Sequence, residues 1–188
     1  PQLYKRMLAD FDPKANPGDI VAVYDKADAP YGAAIYNPKS LIALRLLTRG
    51  LAGFDTERFF AERLARAVEF RRQVLGLDKT TDAYRLVCDN GDGLPGLVVD
   101  RYGNYLVLEF YSIGMFREAG RIERLLKTHF PQAKFVRRAS EYTQGQEGFK
   151  IPPCAPVRTR IQENGMLFEV EPSGGYKTGF YCDQRDNR

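Results

Sequence analysis

Chemistry by a single chain needs a nucleophile, a base or a ligand set, and the candidates in this sequence are few. His129 is the only histidine. It falls in the last turn of an expected helix, where a cation complements the helix dipole. The three cysteines, Cys88, Cys154 and Cys182, have no short spacing between them. With one histidine and no Cys-x-x-Cys pair, no zinc site is expected. An odd, sparse set of cysteines argues for a reducing compartment over a disulfide framework. Cys88 and Cys154 read as small hydrophobes. Cys182 has no base partner in the sequence, so it is not expected to act as a nucleophile. Asp92 and Asp100 could be imagined as an acid–base pair, yet nothing in the sequence brings them together. Asp100-Arg101, at a strand end, reads as an ion-pairing or phosphate-contacting pair.

Two glycine-rich stretches stand out. Asp89-Asn-Gly-Asp-Gly-Leu-Pro-Gly96 lacks the spacing of a phosphate cradle and is followed by a strand, so it reads as a structural turn. The final run, Gly174 to Arg188, differs. Lys177-Thr178-Gly179 offers a cation, a hydroxyl and bare backbone, which suits an anionic ligand. Asp183 could cap a helix presenting Gln184 and Arg185 to a site. That helix would have five residues before the sequence stops, too few to be stable alone, so the chain is expected to end inside an element.

Three sets of elements must position these residues. Short β-branched segments, Ile20 to Tyr24, Gly32 to Tyr36 and Leu41 to Leu47, are separated by turns at Pro17-Gly18-Asp19, Asp25 to Pro30 and Asn37-Pro38. They predict a small barrel over residues 1–54, with its opening strand expected to be missing. A helix follows over 55–76, capped by Asp55 and ended by Gly76. Its apolar side carries Phe60, Leu64, Ala67, Val68 and Arg71, and it reads as a connector. Residues 77–172 alternate differently. Strands at Tyr84 to Val87, Gly96 to Asp100 and Tyr105 to Tyr111 precede a helix from Met115 to His129 that buries Ala119, Ile122, Leu125 and Leu126. Lys134 to Arg138 is a strand, and Arg158 to Gln162 with Met166 to Val170 form a hairpin about Asn164-Gly165. Strands flanking one helix make a compact α+β unit, so the fold class is mixed β and α+β. The stretch from Ser140 to Pro153, rich in Gln, Gly and Glu, reads as mobile and could be a lid.

Over 188 residues, a hydrophobic fraction of 44% and a charged fraction of 28% describe an ordinary globular chain. No apolar run approaches the roughly 20 residues of a membrane span, and no leader pattern opens the sequence; a cytoplasmic location without membrane contact is expected. A net charge of +4 is compatible with nucleic acid without demanding it. Lys5-Arg6, Arg71-Arg72, Arg137-Arg138 and Arg158-Thr-Arg160 are its local groups.

Three blocks resemble a known family. Tyr176-Lys-Thr-Gly-Phe-Tyr-Cys-Asp-Gln-Arg-Asp-Asn-Arg188, Asp92-Gly-Leu-Pro-Gly-Leu-Val-Val-Asp-Arg-Tyr-Gly103 and Tyr36-Asn-Pro-Lys-Ser-Leu-Ile-Ala-Leu-Arg-Leu-Leu47 are similar to signatures of the bacterial large-subunit (23S) rRNA cytosine-C5 methyltransferases. The resemblance implies a PUA-type RNA-binding barrel (1–54), a connector helix (55–76), a central α+β domain (77–172) and, from 173 to 188, only the leading segment of a Rossmann-like S-adenosylmethionine domain. It implies that the cysteine nucleophile lies beyond Arg188 and that this chain alone is inactive. Cys182 occupies a variable position of the signature. Lys177, Thr178, Gly179, Asp183, Gln184 and Arg185 would border the cofactor pocket of the intact enzyme. The expected partner is RNA, contacted by Tyr4, Lys5, Arg6, Lys39, Arg45, Arg49 and Arg101 through phosphates and base stacking, with Ile42 and Leu44 in the core. A homodimer is left open. Two other readings also stay open: a stand-alone RNA-binding or adaptor protein without a catalytic domain, and a small enzyme using the C-terminal motif, for which no complete constellation is present.

Overall fold

The computed structural model describes residues 2–174, 180–182 and 184. The first unit is a sheet of four antiparallel strands, β1 (Gln2–Tyr4), β2 (Ile20–Tyr24), β3 (Pro30–Tyr36) and β4 (Ile42–Arg49), in the order β1-β4-β3-β2. Strand β1, which the sequence did not mark, pairs as three residues along the edge of β4. The barrel needs correcting: among the described residues β1 and β2 lie at opposite edges, and their pairing does not close the sheet. With only three residues in β1, and a register slip between Leu3 and Tyr4, that edge has little backbone left to pair onward. Loop residues do the covering instead, since Leu8 and Ala15 pack with Leu3 and Val21 on Ala34, Tyr36, Leu44 and Leu46.

Side chains alternate along a strand, so the next residues of β4 point the other way. Ala43, Arg45 and Leu47 are buried on that second face, and Leu47 joins Ile35 in the larger core of the second unit. The two units thus share apolar packing.

Helix α1 (Thr56–Glu69) begins at Asp55, whose carboxylate accepts the Arg58 backbone N–H at 2.7 Å. Phe60, Leu64, Ala67 and Val68 are buried as their spacing requires. Burying a side chain such as Phe60 or Leu64 contributes about 1.5–3 kcal/mol as an upper estimate. The helix widens into a π-helical turn at Phe70–Val74, and Gly76, at φ 61°, ends it. The connector is therefore a core element, packed on β5 and α3.

The second sheet runs β5 (Ala83–Cys88), β6 (Leu97–Tyr102), β7 (Tyr105–Phe110), β8 (Lys134–Arg138), in that spatial order. Its first three strands form an antiparallel meander, and β8 is parallel to β7. A parallel neighbour requires a crossover, supplied by α2 (Ile113–Arg117) and α3 (Ala119–His129). These are two helices where one was expected, because the backbone leaves helical geometry at Glu118. Ala119, Ile122 and Leu126 are buried and Leu125 is half-buried. The opposite sheet face is covered by the hairpin β9 (Thr159–Glu163) and β10 (Met166–Val170), packed through Ile161 and Val170 on Ala83, Tyr102, Val107 and Val136. Asn164 and Gly165, at φ 50° and 81°, form its turn as the sequence predicts.

The stretch read as a mobile lid contains a helix, α4 (Glu141–Glu147). Its N-cap Ser140 accepts the Thr143 backbone N–H at 3.0 Å, and Gly148, at φ 80°, ends it. It is held down rather than free, because Glu147 is buried.

Candidate nucleic-acid interface

Four of the seven residues expected to touch RNA gather at one end of the first sheet. Tyr4 is 46% exposed. Lys5 and Arg6 form an exposed 3-10 turn immediately after it. The Lys5 backbone N–H donates to the Leu41 carbonyl at 3.3 Å, which sets this turn beside the β3–β4 turn carrying the exposed Lys39. That second turn is shaped by Asn37, whose side-chain oxygen accepts the Lys39 backbone N–H at 3.0 Å. Such side-chain mimicry of a backbone turn suits asparagine to this place, and Pro38 adds a fixed φ. The arrangement can hold phosphates against two or three cations with an aromatic ring alongside.

Arg45 must be withdrawn from the exposed set. It is 7% exposed, and its guanidinium donates to Glu147 Oε1 at 3.1 Å and to the Tyr111 carbonyl at 3.0 Å. Glu147 Oε2 accepts from Asn37 Nδ2 at 2.8 Å and from the Ile113 backbone N–H at 3.2 Å. The physical reason is strand alternation: Leu44 and Leu46 face the small core, so Arg45 faces the central unit. Ile42 is half-buried and Leu44 buried, as expected.

Arg49 is exposed but stands at the far end of β4, seven residues from Ile42 and therefore about 23 Å away at strand rise. Arg101 lies in the central unit and is largely spoken for. Its guanidinium donates to Asp78 Oδ1 at 2.7 Å and to the Gly103 carbonyl at 3.1 Å, and it lies over the Tyr84 and Phe130 rings. Asp78 also accepts from Tyr84 Oη at 2.7 Å and Arg72 Nε at 2.8 Å. Burial would raise the Asp78 carboxyl, but the Tyr84 hydrogen bond and the charges of Arg101 and Arg72 outweigh it and hold it below the ordinary range. Burial, with the bond to Asp78, pushes the Tyr84 phenol up to about 12. An open cleft of about 600 Å³ flanks this node, lined by Glu69, Arg72, Asp78 and His129 among others. Its charges are mixed, and Asp78 and Arg72 are already hydrogen-bonded, so the grouping reads as structural.

The other candidates resolve as follows. Asp92 takes a bidentate bond from Arg71 at 2.5 and 2.9 Å, while Asp100, 1% exposed, accepts from Arg85 at 2.9 and 3.1 Å. They serve different partners, and the Asp89–Gly96 stretch is the structural turn expected. The pairing of Asp100 is with the opposite strand rather than with its sequence neighbour Arg101. Cys88 and Cys154, read as small hydrophobes, are exposed; Cys182 is half-buried against the hairpin core. Among the described residues there is no cluster of His, Cys, Asp or Glu that could hold a metal ion, and no helix long and apolar enough to cross a membrane. Of the residues expected to border a cofactor, Lys177, Thr178, Gly179, Asp183 and Arg185 lie outside the described residues. Gln184 is described and exposed. Just before it, the Phe180 carbonyl accepts from Tyr102 Oη at 3.2 Å and its ring lies 5.5 Å from that of Phe168, so this segment is anchored on the sheet and hairpin.

Residues 1–49 match the PUA-like domain family. The whole chain aligns with ribosomal RNA large subunit methyltransferase I of Citrobacter koseri, 32% identical over 194 residues, and of Pseudoalteromonas atlantica, 33% identical over 193. The chain spans about half of these relatives, 49% of each. A crystal structure of a candidate methyltransferase complexed with SAH superposes on 99% of this chain and 47% of its own, with a TM-score of 0.76 at 21% identity. That likeness extends the shared fold across both units.

Sequence reasoning missed Glu147 and Asn37, the residues that lock the units together. The signal for α4 was present in Ser140 as a cap and Gly148 as a stop. No pattern marks a glutamate whose partner lies 102 positions away.

Proposed function

We propose that this chain is the RNA-recognition portion of a methyltransferase that transfers a methyl group from S-adenosylmethionine to C5 of a cytosine in large-subunit rRNA. The observation that carries the proposal is the alignment with large-subunit methyltransferases along the whole of this chain. The cation and tyrosine cluster at Tyr4, Lys5, Arg6 and Lys39 supports it, being solvent-facing on the unit that matches a PUA-like domain. In this reading Lys5, Arg6 and Lys39 take phosphates, Tyr4 stacks on an unpaired base, and the Arg45–Glu147 pair fixes that surface relative to the central sheet.

The cofactor would supply the methyl group. Of the six residues expected around it, only Gln184 is described, and one exposed glutamine does not make a cradle. The described residues therefore supply no step through the cofactor. They bind and orient RNA, and the chain alone transfers no methyl group.

The test is a titration of this chain with a fragment of large-subunit rRNA across salt, with duplex DNA as control and labelled S-adenosylmethionine added in a parallel reaction. Selective RNA binding that weakens linearly in log salt, without methyl incorporation, is expected. Equal affinity for duplex DNA, or no binding at low salt, overturns the reading.

A further inference from the structure

We infer that residues 141–150 of the central unit, through Tyr142 and Lys150, extend the Lys5–Arg6–Lys39 surface into one continuous track for single-stranded RNA; this rests on the reading that the chain binds RNA.

The track crosses the seam between the units where they are most firmly joined. Lys39 reaches over from the first sheet onto the end of α4: a Cβ placed on Gly148 would lie 3.4 Å from Lys39 Cδ and 3.7 Å from its Nζ. Lys150 follows two residues later and is exposed, so its Cα lies within about 7 Å of that of Gly148. A lysine from each unit therefore lies beside the end of α4.

At the two lysines the charge favours an anion, because the other acid of the stretch, the exposed Glu141, stands at the opposite end of α4. The acid that ends α4, Glu147, is 3% exposed, and its oxygens already accept from Arg45, Asn37 and Ile113. It does not present its charge to solvent. Among the described residues neither Lys39 nor Lys150 pairs with a carboxylate.

The ring decides which anion. Tyr142 is 74% exposed, and Leu41, beside Lys5, is 73% exposed. One helical turn from Tyr142, on the same face, a Cβ at Gly145 would meet nothing within 4 Å. The helix surface next to the ring is therefore bare and leaves room for a base. Cations at one end of α4 and an open aromatic about 9 Å along its axis suit a strand whose bases are free to stack. Duplex DNA offers no free base, and an acidic peptide would use the lysines without the ring.

The experiment uses the 188-residue chain and a fluorescein-labelled single-stranded uridine 12-mer, with duplex DNA and poly-glutamate as competitors, from 50 to 200 mM salt. Lys150→Ala is expected to flatten the slope of log affinity against log salt by about 0.7, one phosphate contact on a single strand. Tyr142→Ala should weaken binding about fivefold or more, and Tyr142→Phe should restore it. Circular dichroism of each variant checks that the fold is kept. If Lys5→Ala and Arg6→Ala weaken binding while the Lys150 and Tyr142 variants match the parent, the track stops at the seam: the inference fails and the RNA reading stands. An effect from only one of the two positions also overturns a continuous track. If the parent binds duplex DNA or poly-glutamate as tightly as the uridine 12-mer, both fail.

Discussion

The guanidinium of Arg45 and the carboxylate of Glu147 meet at 3.1 Å, with side chains 9% and 4% exposed, and they join two sheets that have no strand pairing in common. Glu147 is satisfied on both oxygens, and Arg45 has the Tyr111 carbonyl as well. A buried pair of this kind adds little over apolar packing, but removing one partner strands the other charge. Glu147→Ala is expected to cost about 3–5 kcal/mol, seen as a lowered urea midpoint with circular dichroism as the probe. A midpoint within error of the parent would show that water reaches Arg45 and that the seam is looser than its hydrogen bonds imply.

The same geometry separates two arginines that the sequence treats alike. Arg45→Ala should destabilise the fold, whereas Arg49→Ala, at an exposed strand end, should leave stability within about 0.5 kcal/mol. Lys39→Ala and Lys5→Ala should likewise leave the fold nearly unchanged and flatten the salt dependence of RNA binding. Parallel denaturation and binding series would show the division; a binding loss in Arg45→Ala without a stability loss would contradict it.

Gly114 is where α2 comes closest to the first sheet. A Cβ there would overlap Ile35 Cγ2 and sit 3.1 Å from the Gly18 carbonyl. Gly114→Ala should therefore push the units apart and destabilise by about 1–3 kcal/mol, the usual range for overpacking, despite alanine's better helix propensity. Thermal unfolding checks the sign. A rise in Tm would mean that the neighbouring β3 shifts freely.

The Asp78–Tyr84–Arg101 node predicts two pH limits. The Asp78 carboxyl is depressed below its ordinary value of 3.8, so its contribution is present above that pH and is lost as pH falls through the lower folded value. The Tyr84 phenol is raised from 10 to about 12, so the protonated form favours folding below pH 10 and that contribution is lost between pH 10 and 12. Asp78→Asn should flatten the acid limb of a stability–pH curve, and Tyr84→Phe should reduce the alkaline one. Part of the alkaline limb persists in Tyr84→Phe because burial and the charge of Glu109 also push Tyr111 up to about 12.

Local signals made much of this fold legible. Asn164-Gly165 placed a hairpin, Asp55 and Gly76 bounded a helix, and the apolar spacing from Phe60 to Val68 named its buried face. Each of these depends on residues within a few positions of one another. The failures have the opposite character. Arg45 looked exposed because arginine usually is, although its setting in Ala43-Leu-Arg-Leu-Leu47 lacks the polar alternation of a strand with one wet face. Read that way, the segment announces a strand buried on both sides. The α4 stretch looked mobile because its composition is polar, yet the buried Glu147, with partners from β4 and from the turn at Asn37, and Phe149, stacked on Phe116 in the main core, hold it. Strand β1 escaped notice because three residues at Gln2–Tyr4 carry too little periodicity to read as a strand.

Ile35 and Leu47 belong to the first sheet but pack in the core of the second unit. Cutting the chain after residue 49 and grafting the front piece onto another enzyme would carry two oily side chains and a buried arginine to a surface that no longer covers them. A transplant would have to take α4 and its glutamate along, or repaint that face with polar residues. As a building block, the N-terminal sheet and α4 travel together.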